Sequence, residues 1–215
     1  MPAIGITGGI ATGKTTFCRF LRELMPNGVF FDADKAARVL TDSDSEVQVA
    51  IRQAFGPNIY SESGDLKRAE LRAIILTSAA KREALEKILH PRIRSQWSAE
   101  AQRYRNSSDF FFADIPLLYE TGGETLCDRV VVVACSEQVQ LRRLMQRGSS
   151  SEPSPGTGRT VSEAEAIRTI QAQMPVQEKA SRADHVMWNN DGEPVLAAQA
   201  ADLVRLWTAN SWTQK

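Results

Sequence analysis

The stretch Thr7–Thr16, "TGGIATGKTT", decides the fold of this 215-residue chain. It matches the pattern G-x-x-x-x-G-K-[ST] through Gly8, Gly13, Lys14 and Thr15. Glycines let backbone N–H groups turn toward phosphate oxygens, and the N-terminus of a following helix adds positive potential. The loop is therefore predicted to bind a polyphosphate, with Lys14 at the β- and γ-phosphates and the Thr15 hydroxyl on Mg²⁺. The alternative is a glycine-rich turn with a chance lysine.

The segments around this loop predict an α/β fold. A short apolar run precedes the loop, a helix with one apolar face follows it, and a second apolar run comes after a Pro-Asn-Gly stop. Strand, helix and strand in so short a span indicate a parallel sheet with right-handed crossovers. A five-stranded parallel sheet flanked by helices is predicted, with strands at 3–7, 29–34, within 110–120 (a strand and its turn), 129–135 and 183–189. The flanking helices are predicted at 13–25, 136–147, from 162 and at 193–208.

Two segments interrupt the alternation of strands and helices. Residues 35–105 have apolar positions at helical spacing, which is more helix than a crossover needs and predicts an inserted helical subdomain. Pro91 should break its longest helix near Leu89-His90, since proline is not tolerated inside a helix. The second segment, "GSSSEPSPGTGRT" at 148–160, is rich in Ser, Pro and Gly and predicts a mobile loop.

Composition limits the class of function. Lysine plus arginine equals aspartate plus glutamate, 26 each, which argues against a protein that coats nucleic acid. The three cysteines form no CxxC pair, so neither a disulfide framework nor a zinc site is suggested, and Cys18 and Cys135 are expected to pack inertly. The chain offers no signal peptide and no apolar run of membrane-spanning length, so we expect a cytoplasmic, soluble protein without a membrane partner.

Asp32 and Asp34 supply the expected acceptor chemistry. They follow the second predicted strand, at the edge of the sheet where ligands collect in open α/β folds. Their spacing in an extended segment would point both side chains the same way, so that one helps to hold Mg²⁺ and the other accepts a hydroxyl proton. The alternative is that they cap the helix starting at Lys35. Because a guanine-specific N-K-x-D motif is missing, a kinase is favoured over a GTPase.

Further motifs resemble those of dephospho-coenzyme A kinases. "GITGGIATGKTT", "DADKAAR" (32–38), "LHPRI" (89–93), "IPLLYE" (115–120) and "QMPVQEKASRADHVMWNN" (173–190) stand in the order of that family. The resemblance spans roughly residues 3–192. It implies a P-loop kinase fold with a helical acceptor-binding insertion and a lid, ATP and Mg²⁺ as cofactors, and dephospho-CoA as the small-molecule substrate.

The resemblance also implies roles for residues outside the loop. Asp34 matches the family's catalytic base, and Asp32 is the neighbouring acid at the metal. Arg38 is expected at acceptor phosphate, and His90, which without the family would be assigned a structural hydrogen bond, is expected near the acceptor. The acceptor wall would be formed by Pro116, Leu117 and Leu118, although a buried strand end explains these residues equally well. Glu120 is either functional or paired with an arginine.

A lid is expected because phosphoryl transfer must exclude water. Arg143 and Arg147 are four residues apart on the predicted helix that leads into it, and their guanidinium groups could bind phosphate oxygens. Arg147 is the first candidate for catalysis and Arg143 the second, against solvated helix charges as the alternative. Asn189 is expected near adenine. The nucleotide-binding set is Gly9, Ile10, Ala11, Thr12, Gly13, Lys14, Thr15, Thr16, Arg143 and Asn189, and the catalytic set is Asp34, Lys14 and Arg147.

The whole chain, 1–215, is thus predicted to be a single P-loop kinase domain. Its nucleotide-binding core comprises 1–34, 108–141 and 183–215, its acceptor (CoA) subdomain 35–107 and its lid 142–182. The expected assembly is a monomer or a small homo-oligomer. Two alternatives remain open at this point: a nucleoside or nucleotide monophosphate kinase, and a nucleotide-binding switch without turnover.

Overall fold

A computed structural model describes residues 2–104, 109–147 and 161–209. The predicted loop at 148–160 lies outside these residues. The chain divides into two compact units, of which the first comprises Met1–Phe31 with Ala101–Lys215 and the second Asp32–Glu100. In the described ranges, no helix is both long and apolar enough to cross a membrane.

The predicted strands form one five-stranded sheet. Its strands are β1 Ala3–Gly8, β2 Val29–Asp32, β3 Phe111–Asp114, β4 Arg129–Ala134 and β5 His185–Trp188, in the order β2-β3-β1-β4-β5. The central strand β1 runs parallel to both neighbours, with Ile6 in register with Asp114 of β3 and with Val131 of β4. This register brings the carboxyl ends of β1, β3 and β4 to one edge.

The helices follow the predicted pattern with one addition. They are α1 Lys14–Leu24, α2 Ala33–Ser43, α3 Ser45–Phe55, α4 Arg68–Thr77, α5 Ala79–Arg103, α6 Glu137–Arg147, α7 Glu163–Gln171, α8 Val176–Arg182 and α9 Glu193–Ala209. Ser136 and Ser162 accept backbone N–H bonds from Val139 and Glu165, both at 3.3 Å, as expected of N-caps. The short helix α8 was not predicted from the sequence.

Each unit has its own apolar core. In the first unit β1 and β4 are buried between helices, and the core includes Ile4, Phe17, Val131 and Leu196. In the second unit helices α2 to α5 enclose Leu40, Val47, Ile51, Ile59, Tyr60, Leu71 and Leu89. A separate core of this size explains how the inserted helices form a compact unit rather than a loose crossover.

The second strand is shorter than predicted. Asp32 ends β2 and caps α2, because its Oδ1 accepts the N–H of Lys35 at 2.9 Å. Asp34 therefore lies in the first turn of α2, and the expected extended segment that would point both carboxylates the same way is wrong. The capping bond satisfies a helix N–H that a longer strand would leave without this partner.

The predicted break at Pro91 is also wrong. Helix α5 is 25 residues long and continues through Pro91 without a break. Pro91 cannot donate to the Lys87 carbonyl, but Leu89 and Trp97 on either side of it are buried, and Arg92 donates to the neighbouring Ile88 carbonyl at 3.1 Å. Burial of the two flanking side chains outweighs the loss of one helical hydrogen bond.

Candidate active site

The phosphate loop joins β1 to α1, as its sequence predicts. Gly13, the residue before α1, has φ of 95°, and a Cβ there would lie 2.2 Å from Nδ2 of Asn189. A side chain at this position would therefore be strained and would also clash. Ala11 has φ of 60°, and its methyl group packs in a small cluster with Leu144 and Ala166. This packing offsets the cost of the left-handed conformation at Ala11.

Side chains from distant segments of the chain form hydrogen bonds with the backbone of the phosphate loop. Gln140 Nε2 donates to the Ile10 carbonyl at 2.7 Å, and the Ile10 N–H donates to Gln173 Oε1 at 2.9 Å. Asn189 Nδ2 donates to the Thr12 carbonyl at 2.8 Å. The loop conformation is thus fixed by protein contacts, which lowers the ordering cost of binding a phosphate.

Lys14 is paired with a buried acid that sequence analysis did not identify. Its Nζ forms an ion pair with Asp114 Oδ1, and the two side chains are 14% and 8% exposed. Cys18 Sγ donates to the other oxygen, Oδ2, at 3.3 Å. The sequence feature that could have identified Asp114 is its position at the end of a strand predicted to be parallel to β1. Asp114 places a negative charge beside the lysine that is expected to meet the γ-phosphate.

Two residues predicted for the nucleotide lie against the loop itself. Arg143 Nη1 donates to the carbonyls of Ala11 and Thr12, both at 3.4 Å, and its Nη2 donates to the Asn189 carbonyl at 3.0 Å. Asn189 is buried, and its amide supports the loop as described above. Both residues are therefore brought to the loop, and their expected nucleotide contacts remain predictions. Arg147 is the last residue of α6, and its side chain lies outside the described residues.

The predicted acceptor wall follows β3. Leu118 is fully buried, and its Cδ2 would lie 2.7 Å from a Cβ placed on Gly5, so it packs closely against β1. Leu117 is half-buried. The Pro116 carbonyl accepts from Thr7 Oγ1 at 2.9 Å and from Lys179 Nζ at 2.8 Å. These contacts fix the turn, and the contact with an acceptor stays a prediction.

Within the second unit, α2 presents the predicted acceptor residues. Asp34 and Arg38 are both exposed and four residues apart, and so share a face of the helix. A cavity of about 180 Å³ opens in this unit. Its lining combines arginines with apolar side chains: Ala37, Arg38, Thr41, Leu66, Arg68, Leu71, Arg72, Ile75, Leu85 and Leu89. His90 is half-buried on α5, next to the lining residue Leu89.

The three cysteine thiols are unreactive near neutral pH. Burial raises the pKa of the Cys18 thiol, and the adjacent Asp114 carboxylate raises it further. Burial also raises the pKa of Cys127, to about 12, and that of Cys135. Because thiolates are the reactive form, these thiols are poor nucleophiles near neutral pH. Among the described residues, no group of three or more His, Cys, Asp or Glu side chains could hold a metal ion alone.

The first strand of the parallel sheet leads through a glycine-rich phosphate loop into a helix, and the loop lysine is paired with Asp114 of β3, the neighbouring strand in the sheet. This arrangement is that of the P-loop class of nucleotide-binding proteins. A sequence model of the dephospho-CoA kinase family matches residues 2–194. The chain belongs to the dephospho-CoA kinase family.

Individual proteins are similar to this chain in sequence or in fold. The dephospho-CoA kinase of Geobacillus kaustophilus is 37% identical over 208 residues, 96% of each protein. The crystal structure of TT1252 from Thermus thermophilus is similar at a TM-score of 0.73 and 28% identity, over 98% of both chains. Dephospho-CoA kinase from Campylobacter jejuni, at 24% identity and a TM-score of 0.68 over 96% of this chain and 97% of that one, shares the fold.

Proposed function

We propose that this chain transfers the γ-phosphate of ATP to the ribose 3′-hydroxyl of dephospho-CoA, which yields coenzyme A and ADP. The observation that carries the proposal is the family match over residues 2–194, because this range includes both the phosphate loop and the helical insertion. The phosphate loop by itself supports phosphoryl transfer of some kind, and the family supplies the acceptor. A reaction in the cytoplasm, by a monomer or a small homo-oligomer, accords with the proposal.

On the donor side, the loop Gly9–Thr16 binds the phosphates of ATP through backbone N–H groups other than that of Ile10, which donates to Gln173. Lys14 contacts the β- and γ-phosphates, and exchanges part of its pairing with Asp114 for the phosphate oxygens. Arg143 and Asn189, which already hold the loop, extend this site toward the nucleotide. The contacts that hold the loop carbonyls support this assignment, because a fixed backbone also preorganises the N–H donors and so costs little reorganisation during the reaction.

Thr15 and Asp32, the side chains assigned to the metal from the sequence, both offer oxygen atoms, and Mg²⁺ prefers hard oxygen ligands and keeps several waters. The exposed Thr15 hydroxyl and the Asp32 carboxylate would hold the ion together with ATP oxygens. The capping bond to Lys35 uses one of the two Asp32 oxygens. A bound Mg²⁺ would neutralise part of the charge on the β- and γ-phosphates.

On the acceptor side, the helical subdomain, predicted at 35–107, binds dephospho-CoA. Arg38 contacts an acceptor phosphate, and its place at the mixed arginine and apolar cavity of that unit supports this role. His90 lies beside a lining residue of the same cavity and contacts the acceptor. Pro116, Leu117 and Leu118 form a wall against the acceptor.

Asp34 acts as the general base. It accepts the proton of the 3′-hydroxyl as the hydroxyl oxygen forms a bond to the γ-phosphorus, while the bond from that phosphorus to the β,γ-bridging oxygen breaks and ADP leaves. Lys14 and Arg147 stabilise the charge that spreads over the transferring phosphoryl oxygens. The lid, predicted at 142–182, excludes water from this step.

The two alternative functions are not favoured. A nucleoside or nucleotide monophosphate kinase would share the loop but would not be expected to combine D-A-D-x-x-A-R with L-H-P, as this chain does. A switch without turnover would have no use for Asp34 as a base.

The regiochemistry of transfer tests the proposal. Dephospho-CoA analogues lacking either the 2′- or the 3′-hydroxyl are incubated with ATP, Mg²⁺ and the full chain, and products are separated by mass. The 2′-deoxy analogue should be phosphorylated, because the accepting oxygen is present, and the 3′-deoxy analogue should not. Phosphorylation of the 3′-deoxy analogue would contradict the assigned acceptor atom.

A further inference from the structure

Lys179 is a lysine buried beside the phosphate loop, in the segment to which sequence analysis assigned no role. It lies on α8, and its side chain has no exposed surface. Its Nζ lies 2.8 Å from the Pro116 carbonyl, 3.4 Å from the Gly8 carbonyl and 2.9 Å from Glu120 Oε1. Lys179 thus contacts the ends of two adjacent strands, since Gly8 ends β1 and Pro116 follows β3.

The ammonium group of Lys179 is fully engaged. A buried charge is costly unless it is paired and hydrogen-bonded, and here three N–H donors face three acceptors. Burial lowers the pKa of Lys179, the bond to Glu120 opposes that change, and the nearby Lys14 adds to it. An ammonium group with every proton committed to the protein is not available to bind a nucleotide phosphate. Any part that it plays in the reaction must therefore act through its partners.

Its partners are the parts that set the geometry of the donor site. Gly8 is the first residue of the loop motif, and the Pro116 carbonyl also accepts from Thr7 in β1 at 2.9 Å. Two residues before Pro116 stands Asp114, the ion-pair partner of Lys14. Lys179 thus joins the start of the loop to the strand end that orients the loop lysine, in addition to the pairing of β1 with β3 and the Thr7–Pro116 bond.

Glu120 completes the arrangement. Its side chain is 23% exposed, and its Oε1 accepts the N–H of Met174 at 3.1 Å as well as pairing with Lys179. Met174 directly precedes Pro175, the N-cap of α8, so Glu120 fastens the start of the helix that carries Lys179. Of the two possibilities open for Glu120, pairing is observed, with this lysine rather than with an arginine.

We propose that Lys179 is a positioning residue for phosphoryl transfer, which acts through the Gly8 and Pro116 carbonyls with Glu120 as its counter-ion. The effect on turnover rests on the proposed function, whereas the effect on nucleotide binding does not. Loss of the ammonium group would let the loop and the β3 end move apart. Displacements of about 1 Å in such a site lower rates by about 100-fold.

The test compares Lys179→Met, which keeps most of the side-chain length without the charge, with Arg182→Met as a matched control. Arg182 lies on the same helix, pairs with Glu124 at 2.6 Å and packs over the Tyr119 ring. Among the described residues, its contacts include none with the loop Gly9–Thr16. We measure ADP affinity by calorimetry, kcat with dephospho-CoA, and the melting temperature. Lys179→Met should lose about tenfold in ADP affinity and about 10- to 100-fold in kcat. Arg182→Met should lower the melting temperature only.

A folded Lys179→Met protein with ADP affinity and kcat within twofold of the parent would overturn the proposal, whatever its melting temperature. If that variant does not fold, Glu120→Gln tests the proposal instead, because it keeps an acceptor oxygen for Lys179 and removes the negative charge. It should lower ADP affinity about threefold, and an unchanged affinity would overturn the proposal. If the parent protein does not phosphorylate dephospho-CoA, the proposed function is wrong. The ADP affinities of the variants then still test whether Lys179 positions the phosphate loop.

Discussion

At the scale of single residues, the position of Asp34 bears on its chemistry. It lies in the first turn of α2, where the positive end of the helix dipole stabilises a carboxylate. Asp32 already caps this helix, so Asp34 is not needed for capping. An exposed carboxylate four residues before an arginine is the arrangement expected of a base that meets a phosphate-bearing acceptor.

Asp34→Asn should lower kcat by about two to four orders of magnitude, the range for a general acid–base group, and should leave ADP affinity nearly unchanged. The measurement is steady-state ADP release together with calorimetric ADP binding. Glu46→Gln is the matched control, since Glu46 is an exposed carboxylate in the first turn of α3. It should behave as the parent. Full activity of Asp34→Asn would contradict the assignment of the base.

The residues that sequence analysis missed share a physical reason. Lys14 and Thr15 could be predicted because the loop motif is local. Asp114 and Lys179 reach the loop only through strand pairing and helix packing, from about 100 and 170 residues further along the chain. Neither the pairing of β1 with β3 nor helix α8 was predicted, so neither contact could be.

At the scale of elements, α5 tests how packing competes with backbone preference. Proline inside a helix lowers the free energy of unfolding by about 3 kcal/mol. Its replacement makes the unfolded chain more flexible, which offsets less than about 1 kcal/mol of that gain. Pro91 is exposed, so its replacement leaves no cavity. Pro91→Ala should therefore raise the free energy of unfolding by about 2 kcal/mol, measured by urea denaturation.

Pro194→Ala is the control for this change. Pro194 lies in the first turn of α9, where a missing N–H costs nothing because that group has no helical partner. Its replacement should alter stability by less than about 0.5 kcal/mol. If Pro91→Ala were no more stable than the parent, α5 would not be continuous through Pro91 in solution.

The errors in the predicted elements arose where local and tertiary effects oppose each other. The periodic helices and the β-branched strands were predicted correctly because pattern and burial agree there. The end of β2 and the course of α5 differ from prediction. Strand β2 ends at Asp32 because this residue caps α2, whereas the strand was predicted to continue to residue 34. Helix α5 continues through Pro91 because the burial of Leu89 and Trp97 stabilises it.

At the scale of the whole molecule, the two units contain different sets of the predicted site residues. The sheet unit contains the phosphate loop, Lys14 and the buried contacts that hold them. The helical unit contains Asp34, Arg38 and a cavity that combines arginine charge with apolar lining. A parallel sheet and an inserted helical unit could be predicted from sequence, but the strand order could not, because alternating elements fit several orders.

Acceptor-dependent ADP release is the most direct test of the proposed function. It is measured from ATP and Mg²⁺ with dephospho-CoA, adenosine, AMP or no acceptor, and coenzyme A is assayed in the same samples. Turnover is expected with dephospho-CoA alone, with one coenzyme A formed per ADP. Faster turnover with adenosine or AMP, or ADP release that does not depend on any acceptor, would contradict it.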